Sequence, residues 1–130
     1  MGLAAAMRFP EYPVFVFQGD GTFGFHAMEL DTAVRYGIPV VVVVGNDARW
    51  NAEHQIQLNS YGAERTVACD LLPTRYDQVA LALGAHGERV EDPAELEGAI
   101  GRAVAAGRPA VVDVLIEPAA APSLLVGGSS

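Results

Sequence analysis

Two stretches decide the fold of this chain: residues 14–22 (VFVFQGDGT) and residues 40–47 (VVVVVGND). In each, an apolar run typical of a buried strand is followed at once by glycine and then by an acidic or amide residue. Twenty-four residues separate Gly21 from Asn46. In open parallel sheets ligands bind at the carboxyl ends of the strands, so Asp20 and Asp47 are expected to lie where a ligand would bind.

The same alternation of strands and helices continues along the chain. We predict strands at residues 14–18, 39–45, 87–90 and 110–116, and helices at 27–36, 75–83 and 93–106, with a short helix at 52–57 inside the polar segment 46–62. Gly37, Thr74 and Asp92 are expected to cap the three main helices. Strands joined by helical crossovers form a parallel sheet covered on both faces, so the predicted fold class is α/β with three layers, α/β/α.

Composition narrows the classes of function. The 130 residues are 51% hydrophobic, which fits one domain with a core. We expect this domain to span residues 1–117, and residues 118–130 to form a flexible tail. The net charge of −8 argues against nucleic-acid or membrane partners, and all eight basic residues are arginine. The longest apolar run, residues 38–44, is too short to cross a bilayer. The single cysteine, Cys69, excludes an intrachain disulfide and suits a reducing cytoplasm.

The acidic loops suggest a specific ligand. Asp20 and Asp47 offer the hard oxygen donors that Mg²⁺ prefers, and Mg²⁺ usually binds together with phosphates. Gly21 and Thr22 open a turn whose backbone N–H groups can bind those phosphates. Either motif alone is more often an ordinary turn with a solvated side chain. The pairing of both motifs after apolar strands favours a diphosphate held through a divalent cation.

The two motifs resemble the signature of thiamine-diphosphate-dependent enzymes, which is Gly-Asp-Gly, a gap in the middle to high twenties, and Asn-Asn. Residues 19–35 and 38–50 are similar to the diphosphate-binding domain of the acetolactate synthase and benzoylformate decarboxylase group. The resemblance covers residues 2–117 and is specific for the cofactor rather than for the substrate. It implies the thiamin-diphosphate-binding fold, incomplete at its amino end, with thiamine diphosphate and Mg²⁺ as cofactors.

The resemblance also implies roles for individual residues. Asp20 and the side chain of Asp47 match the metal ligands, and Arg49 stands where the family supplies a backbone carbonyl. Asp47 replaces the more common Asn, which keeps an oxygen donor but adds a negative charge near the diphosphate. Asn46 matches the first Asn of the signature, which supports the loop. The cofactor-binding set implied in this way is Gly19, Asp20, Gly21, Thr22, Asn46 and Asp47.

The function implied by the resemblance is that of an enzyme acting on 2-oxo acids or related acyl compounds by acetolactate synthase-like carboligation. Homo-oligomers with active sites between subunits are expected. In the family, the activating glutamate lies on a pyrimidine-binding domain, which no part of this chain resembles. We therefore assign no catalytic residue, expect the isolated chain to be inactive, and expect that domain as a partner, on the same full-length chain or on a separate subunit.

Three alternatives stay open. The first is a decarboxylase or lyase of the benzoylformate decarboxylase or 2-hydroxyacyl-CoA lyase type. The second is the β-subunit of a 2-oxoacid:ferredoxin oxidoreductase, against which the single cysteine argues. The third is a non-catalytic fragment or assembly module.

Some residues are weaker candidates for the site. His26 and Glu29 are candidates for cofactor contact or acid–base chemistry, and the candidates for substrate specificity are His54, Gln55 and Gln57. For each of these residues, packing or a solvated surface position is the competing interpretation.

Overall fold

The strands form one parallel sheet in a computed structural model that describes residues 1–119. The strands are β1 (Phe15–Gly19), β2 (Val41–Asn46), β3 (His86–Val90) and β4 (Ala110–Leu115). The helices are α1 (Gly2–Arg8), α2 (Asp20–His26), α3 (Glu29–Tyr36), α4 (Asn51–Tyr61), α5 (Tyr76–Ala82) and α6 (Leu96–Ala105), with 3-10 turns at Ala63–Arg65 and Pro93–Glu95. The strand order is β1-β2-β4-β3, so β1 and β3 form the two edges.

Helices cover both faces of the sheet. Because side chains alternate along a strand, Val42 and Val44 of β2 face one way and Val41 and Val43 the other. The first pair packs in a core cluster with residues of α2, α3 and α5, and the second pair packs with residues of α6. This arrangement confirms the predicted three-layer α/β/α class, and the four predicted strands agree with the observed ones to within two residues.

Two helices differ from the prediction. The predicted helix at 27–36 corresponds to α3, which begins two residues later, and it is preceded by a helix that was not predicted, α2, which begins at Asp20 directly after β1. Phe23 is buried against the ring of Tyr76 at 5.3 Å between centroids, and this packing outweighs the low helix propensity of the glycines in α2. The predicted short helix at 52–57 is the 11-residue α4, which has no buried residue and therefore no apolar stripe to reveal its length.

Two of the three predicted caps are confirmed. Gly37 ends α3 in the left-handed conformation with φ of 61°, where glycine is favoured. The Asp92 carboxylate accepts the N–H of Ala94 at 2.9 Å, at the start of the 3-10 turn that leads into α6.

The predicted cap at Thr74 is wrong. The residue before α5 is Arg75, and no side chain from that position caps the helix. The first N–H of α5, from Tyr76, instead donates to Asp113 of β4 at 3.2 Å. A neighbouring strand, rather than the preceding loop, therefore satisfies the start of this helix.

The carboxyl-terminal segment lies largely outside the described residues. Of the predicted flexible tail at 118–130, only Pro118 and Ala119 are described. Within residues 1–119, none of the helices combines the length and apolar character that a membrane crossing requires.

Candidate cofactor and metal site

The carboxyl ends of β1 and β2 bring the two acidic loops together. Gly19 at the end of β1 is paired in register with Gly45 of β2, so the residues that follow each strand lie at the same edge of the sheet. Asp20 and Asp47 both line a cavity of about 280 Å³ at that edge. The lining residues are Gly19, Asp20, Gly21, Thr22, Gly45, Asp47, Arg49, Trp50, Asn51, Ala52, Glu53 and Ile116.

Asp20, which lines this cavity, is a buried residue with only 2% of its surface exposed. One of its oxygens accepts the N–H of Gly21 at 2.9 Å, and the other accepts the N–H of Arg49 at 3.3 Å. Burial raises the pKa of Asp20, and the negative charge of Asp47 raises it further, while the two backbone N–H bonds oppose the rise. The loop after β2 thus bonds directly to the first residue of α2.

The donor set fits a divalent cation. Among residues 1–119, neither arginine nor histidine forms an ion pair with Asp20, and the guanidinium of Arg49 turns away to Asp70 at 2.8 Å. A cation between Asp20 and Asp47 would offset both the burial of the first and the repulsion between them. Hard carboxylate oxygens match the preference of Mg²⁺.

The protein side chains alone do not complete such a site. Within residues 1–119 no group of three or more histidine, cysteine, aspartate or glutamate side chains could hold a metal ion. Further ligands would have to come from a backbone carbonyl, for which Arg49 is the predicted source, and from the bound ligand itself. This is the way Mg²⁺ usually binds in phosphate sites.

The start of α2 leaves backbone donors at the cavity. The cap position, Gly19, makes no side-chain hydrogen bond to the helix, and the N–H of Gly21 is used by Asp20. The first four N–H groups of a helix have no partner within the helix. The N–H group of Thr22 is therefore available to a ligand. These groups are suited to phosphate oxygens rather than to an apolar ligand.

Trp50 forms one wall of the cavity. A Cβ atom on Gly21 would lie 2.9 Å from two atoms of the indole ring, closer than such contacts occur, so the indole lies directly on the Gly21 backbone. The indole also lies beside Phe25, with ring centroids 5.0 Å apart. Glycine at position 21 is therefore required by packing, in addition to any approach of a ligand.

Asn46 lies behind the cavity rather than in it. It is 2% exposed, and its amide nitrogen donates to Asp113 at 2.9 Å and to the carbonyl of Thr74 at 3.0 Å. Its amide oxygen accepts the N–H of Ala48 at 3.2 Å. These bonds agree with a loop-supporting role, whereas the predicted contact of Asn46 with a cofactor stays a prediction.

The weaker candidates lie elsewhere. His26 and Glu29 line a separate cavity of about 450 Å³ between α1, β1 and α3, and do not line the one that holds the two aspartates. Gln57 is tied to the backbone of Val67, accepting its N–H at 2.7 Å and donating to its carbonyl at 3.3 Å. His54 and Gln55, also on α4, are outside the lining of the aspartate cavity.

The sequence pattern did not point to Asp113. This residue is fully buried on β4, where it accepts hydrogen bonds from Asn46 and from the first turn of α5. Burial raises its pKa, which the bond from Asn46 and the charge of Arg89 oppose. The available signal was a single charge within the otherwise apolar strand Ala110–Leu115.

A parallel α/β/α sheet with acidic loops at its carboxyl edge is typical of domains that bind ligands at that edge, and comparison with known proteins identifies the family. Residues 1–114 match the family model described as thiamine pyrophosphate enzyme, C-terminal TPP binding domain. The chain belongs to this family.

The relatives span two activities. The chain is 49% identical over 120 residues to a probable acetolactate synthase of Mycobacterium bovis. The matched region covers 92% of this chain and 22% of the relative. It is 41% identical over 90 residues to 2-hydroxyacyl-CoA lyase 2 of Caenorhabditis elegans, covering 69% of this chain and 14% of the relative. The chain thus spans about a fifth or less of the length of these relatives.

A solved structure shares the fold. The thiamine diphosphate-dependent 4-hydroxybenzoylformate decarboxylase of Rhodococcus jostii superimposes with a TM-score of 0.81 at 24% identity, covering 89% of this chain and 22% of that one. At this identity the match bears on the fold alone, and it confirms the predicted thiamin-diphosphate-binding fold.

Proposed function

We propose that this chain binds the diphosphate of thiamine diphosphate through Mg²⁺, as the C-terminal cofactor domain of an enzyme acting on 2-oxo acids. The observation that carries the proposal is the placement of Asp20, Asp47 and Arg49 around one cavity, in a chain that belongs to the thiamine pyrophosphate enzyme family. In this proposal Asp20, Asp47 and the Arg49 carbonyl hold the cation. Gly19, Gly21 and Thr22 form the turn that holds the diphosphate.

In this proposal the cofactor and the protein have different roles. When bound, thiamine diphosphate supplies the carbanion and electron-sink chemistry, and the protein supplies binding and orientation. The residues of this chain bind and orient the diphosphate end. The activating glutamate is expected on a pyrimidine-binding domain, either on the same full-length chain or on another subunit of a homo-oligomer, so we assign no catalytic residue here.

We propose acetolactate synthase-like carboligation as the reaction of the whole enzyme, because that relative matches over more of the chain and at higher identity than the lyases. A lyase of the 2-hydroxyacyl-CoA type is the second candidate, supported by its own 41% identity. Product analysis of the full-length enzyme with pyruvate separates them, since acetolactate is expected from the first and not from the second. The cytoplasmic location, the division at residue 117 and an oligomeric state stay predictions.

The binding proposal is tested by titrating thiamine diphosphate into the chain by calorimetry, with Mg²⁺ and then with a chelator, and with and without a pyrimidine-domain partner. We expect binding that requires Mg²⁺ and is lost in Asp20→Ala. Asp31→Ala is the matched control, because it removes an aspartate on α3 that pairs with Arg35 away from the cavity. Unchanged affinity in Asp20→Ala, or equal loss in Asp31→Ala, would contradict the proposal.

A further inference from the structure

Asp113 is a buried charge that the proposed cofactor site does not itself use. It has no exposed surface and lies among valines on β4, one of the two interior strands. A buried carboxylate is unfavourable unless it is paired and hydrogen-bonded. Its retention in the core therefore calls for a role in arranging the groups that bond to it.

The bonds to Asp113 join three segments of the chain. One carboxylate oxygen accepts the amide N–H of Asn46 at 2.9 Å, at the end of β2. The other accepts the N–H of Tyr76 at 3.2 Å, at the start of α5, and lies 3.4 Å from the guanidinium of Arg89 on β3. Asn46 extends the connection to the carbonyl of Thr74 at 3.0 Å.

The loop held by Asn46 is the one that carries the proposed metal ligands. Ala48, between Asp47 and Arg49, has φ of 53°, a left-handed conformation that is unfavourable for residues other than glycine. The Asn46 amide oxygen accepts the Ala48 N–H at 3.2 Å and so supports this conformation. The Asn46 amide can present its oxygen there because its nitrogen is fixed by Asp113 and the Thr74 carbonyl.

We propose that Asp113 is a positioning residue for the metal loop: through Asn46 it fixes residues 46–49 so that Asp47 and Arg49 line the cavity beside Asp20, and it thereby sets the Mg²⁺ affinity of the site. This inference rests on the proposed function, and it adds a residue 66 positions beyond Asp47 to the determinants of metal binding.

The test compares Mg²⁺ titrations of four proteins at a fixed excess of thiamine diphosphate, with folding checked by circular dichroism. Trp50 is the only tryptophan of the chain and lines the cavity, so its fluorescence reports on the site directly. The proteins are the wild-type chain, Asp113→Asn, the swapped pair Asn46→Asp with Asp113→Asn, and Val112→Ala. The last shortens a fully buried neighbour on β4 and controls for general destabilisation.

We expect Asp113→Asn to raise the Mg²⁺ concentration at the midpoint by about 10-fold or more, as loss of groups that orient metal ligands does elsewhere. Val112→Ala should lower stability and leave the midpoint unchanged. The swapped pair should recover part of the affinity, because a donor and an acceptor again face each other. An unchanged midpoint in Asp113→Asn, or an equal rise in Val112→Ala, would overturn the inference.

Two further outcomes are decisive. If neither variant at position 113 folds, Asp113 is a folding residue only and the inference fails. If the wild-type chain shows no Mg²⁺-dependent signal with or without a pyrimidine-domain partner, the proposed function fails, and the inference fails with it. The two failures are distinguishable because the second is seen in the wild type.

Discussion

Asp77 offers a prediction whose magnitude follows from its surroundings. Its side chain is 4% exposed and accepts two hydrogen bonds from Arg75, at 2.8 and 2.7 Å, and one from Gln78 at 2.8 Å. The bonds from Arg75 hold the pKa of Asp77 at about 2, below its ordinary value of 3.8, against an opposing effect of burial. At about 1.4 kcal/mol for each pKa unit, the charged form stabilises the fold by about 2 kcal/mol.

The sign of the pH dependence follows from the direction of this shift. Because the pKa of Asp77 is lower in the folded chain than in the unfolded one, its stabilisation is complete above 3.8 and is lost as the pH falls towards 2. Asp77→Asn should therefore lower the free energy of unfolding by about 2 kcal/mol near pH 7 and by only about 1 kcal/mol near pH 3.

Urea unfolding at the two pH values measures this difference. Asp31→Asn is the matched control, because Asp31 also pairs with an arginine, at 2.8 Å, but both side chains of that pair are more than 40% exposed. Exposed pairs of this kind contribute about 0.3–0.5 kcal/mol. Equal losses for Asp77→Asn at both pH values would refute the account, as would a loss no larger than that of the control.

Two further predictions concern glycines. Gly21→Ala should displace the Trp50 indole from the cavity, shift its fluorescence and weaken thiamine diphosphate binding. Gly24→Ala, on the same helix but with open space around it, should leave the fluorescence and the binding unchanged. Similar spectra for the two variants would count against the packing of Trp50 on Gly21. Gly37→Ala should cost about 1 kcal/mol because of its φ of 61°. Gly101→Ala, within α6 and also in open space, should instead stabilise the fold by about 0.5–1 kcal/mol in urea unfolding. Changes of the same sign in the unfolding free energy of Gly37→Ala and Gly101→Ala would contradict this prediction.

The sheet could be predicted from the sequence because its strands are short apolar runs bounded by polar or glycine residues. β2 is the strongest case, since five consecutive valines at residues 40–44 have no other reasonable place than a strand buried on both faces. From the parallel order it followed that Asp20 and Asp47 would meet at one edge, and both line the same cavity.

The helices around the site were harder to predict because local signals oppose them. α2 contains Gly21 and Gly24, which disfavour a helix, and its formation depends on the burial of Phe23 against Tyr76, 53 residues further on. α4 has no buried residue, and its sequence lacks the periodic apolar positions that mark a helix.

The hydrogen bond that supports the site could not be predicted either, and the reason is different. The bond between Asn46 and Asp113 joins residues 67 positions apart and requires the register of β2 against β4, in which Val44 is opposite Asp113. A sequence read without that register shows an isolated aspartate in an apolar strand and no partner for it. Only the folded sheet identifies the partner.

The position of β1 at the edge of the sheet has a practical consequence for handling this chain in isolation. Within residues 1–119, its outer side has no strand beside it, and Phe17 on that strand is 72% exposed. An exposed, apolar strand edge is a template for pairing with other chains. Purified alone, the chain should self-associate as its concentration rises, and Phe17→Lys should reduce the resulting light scattering.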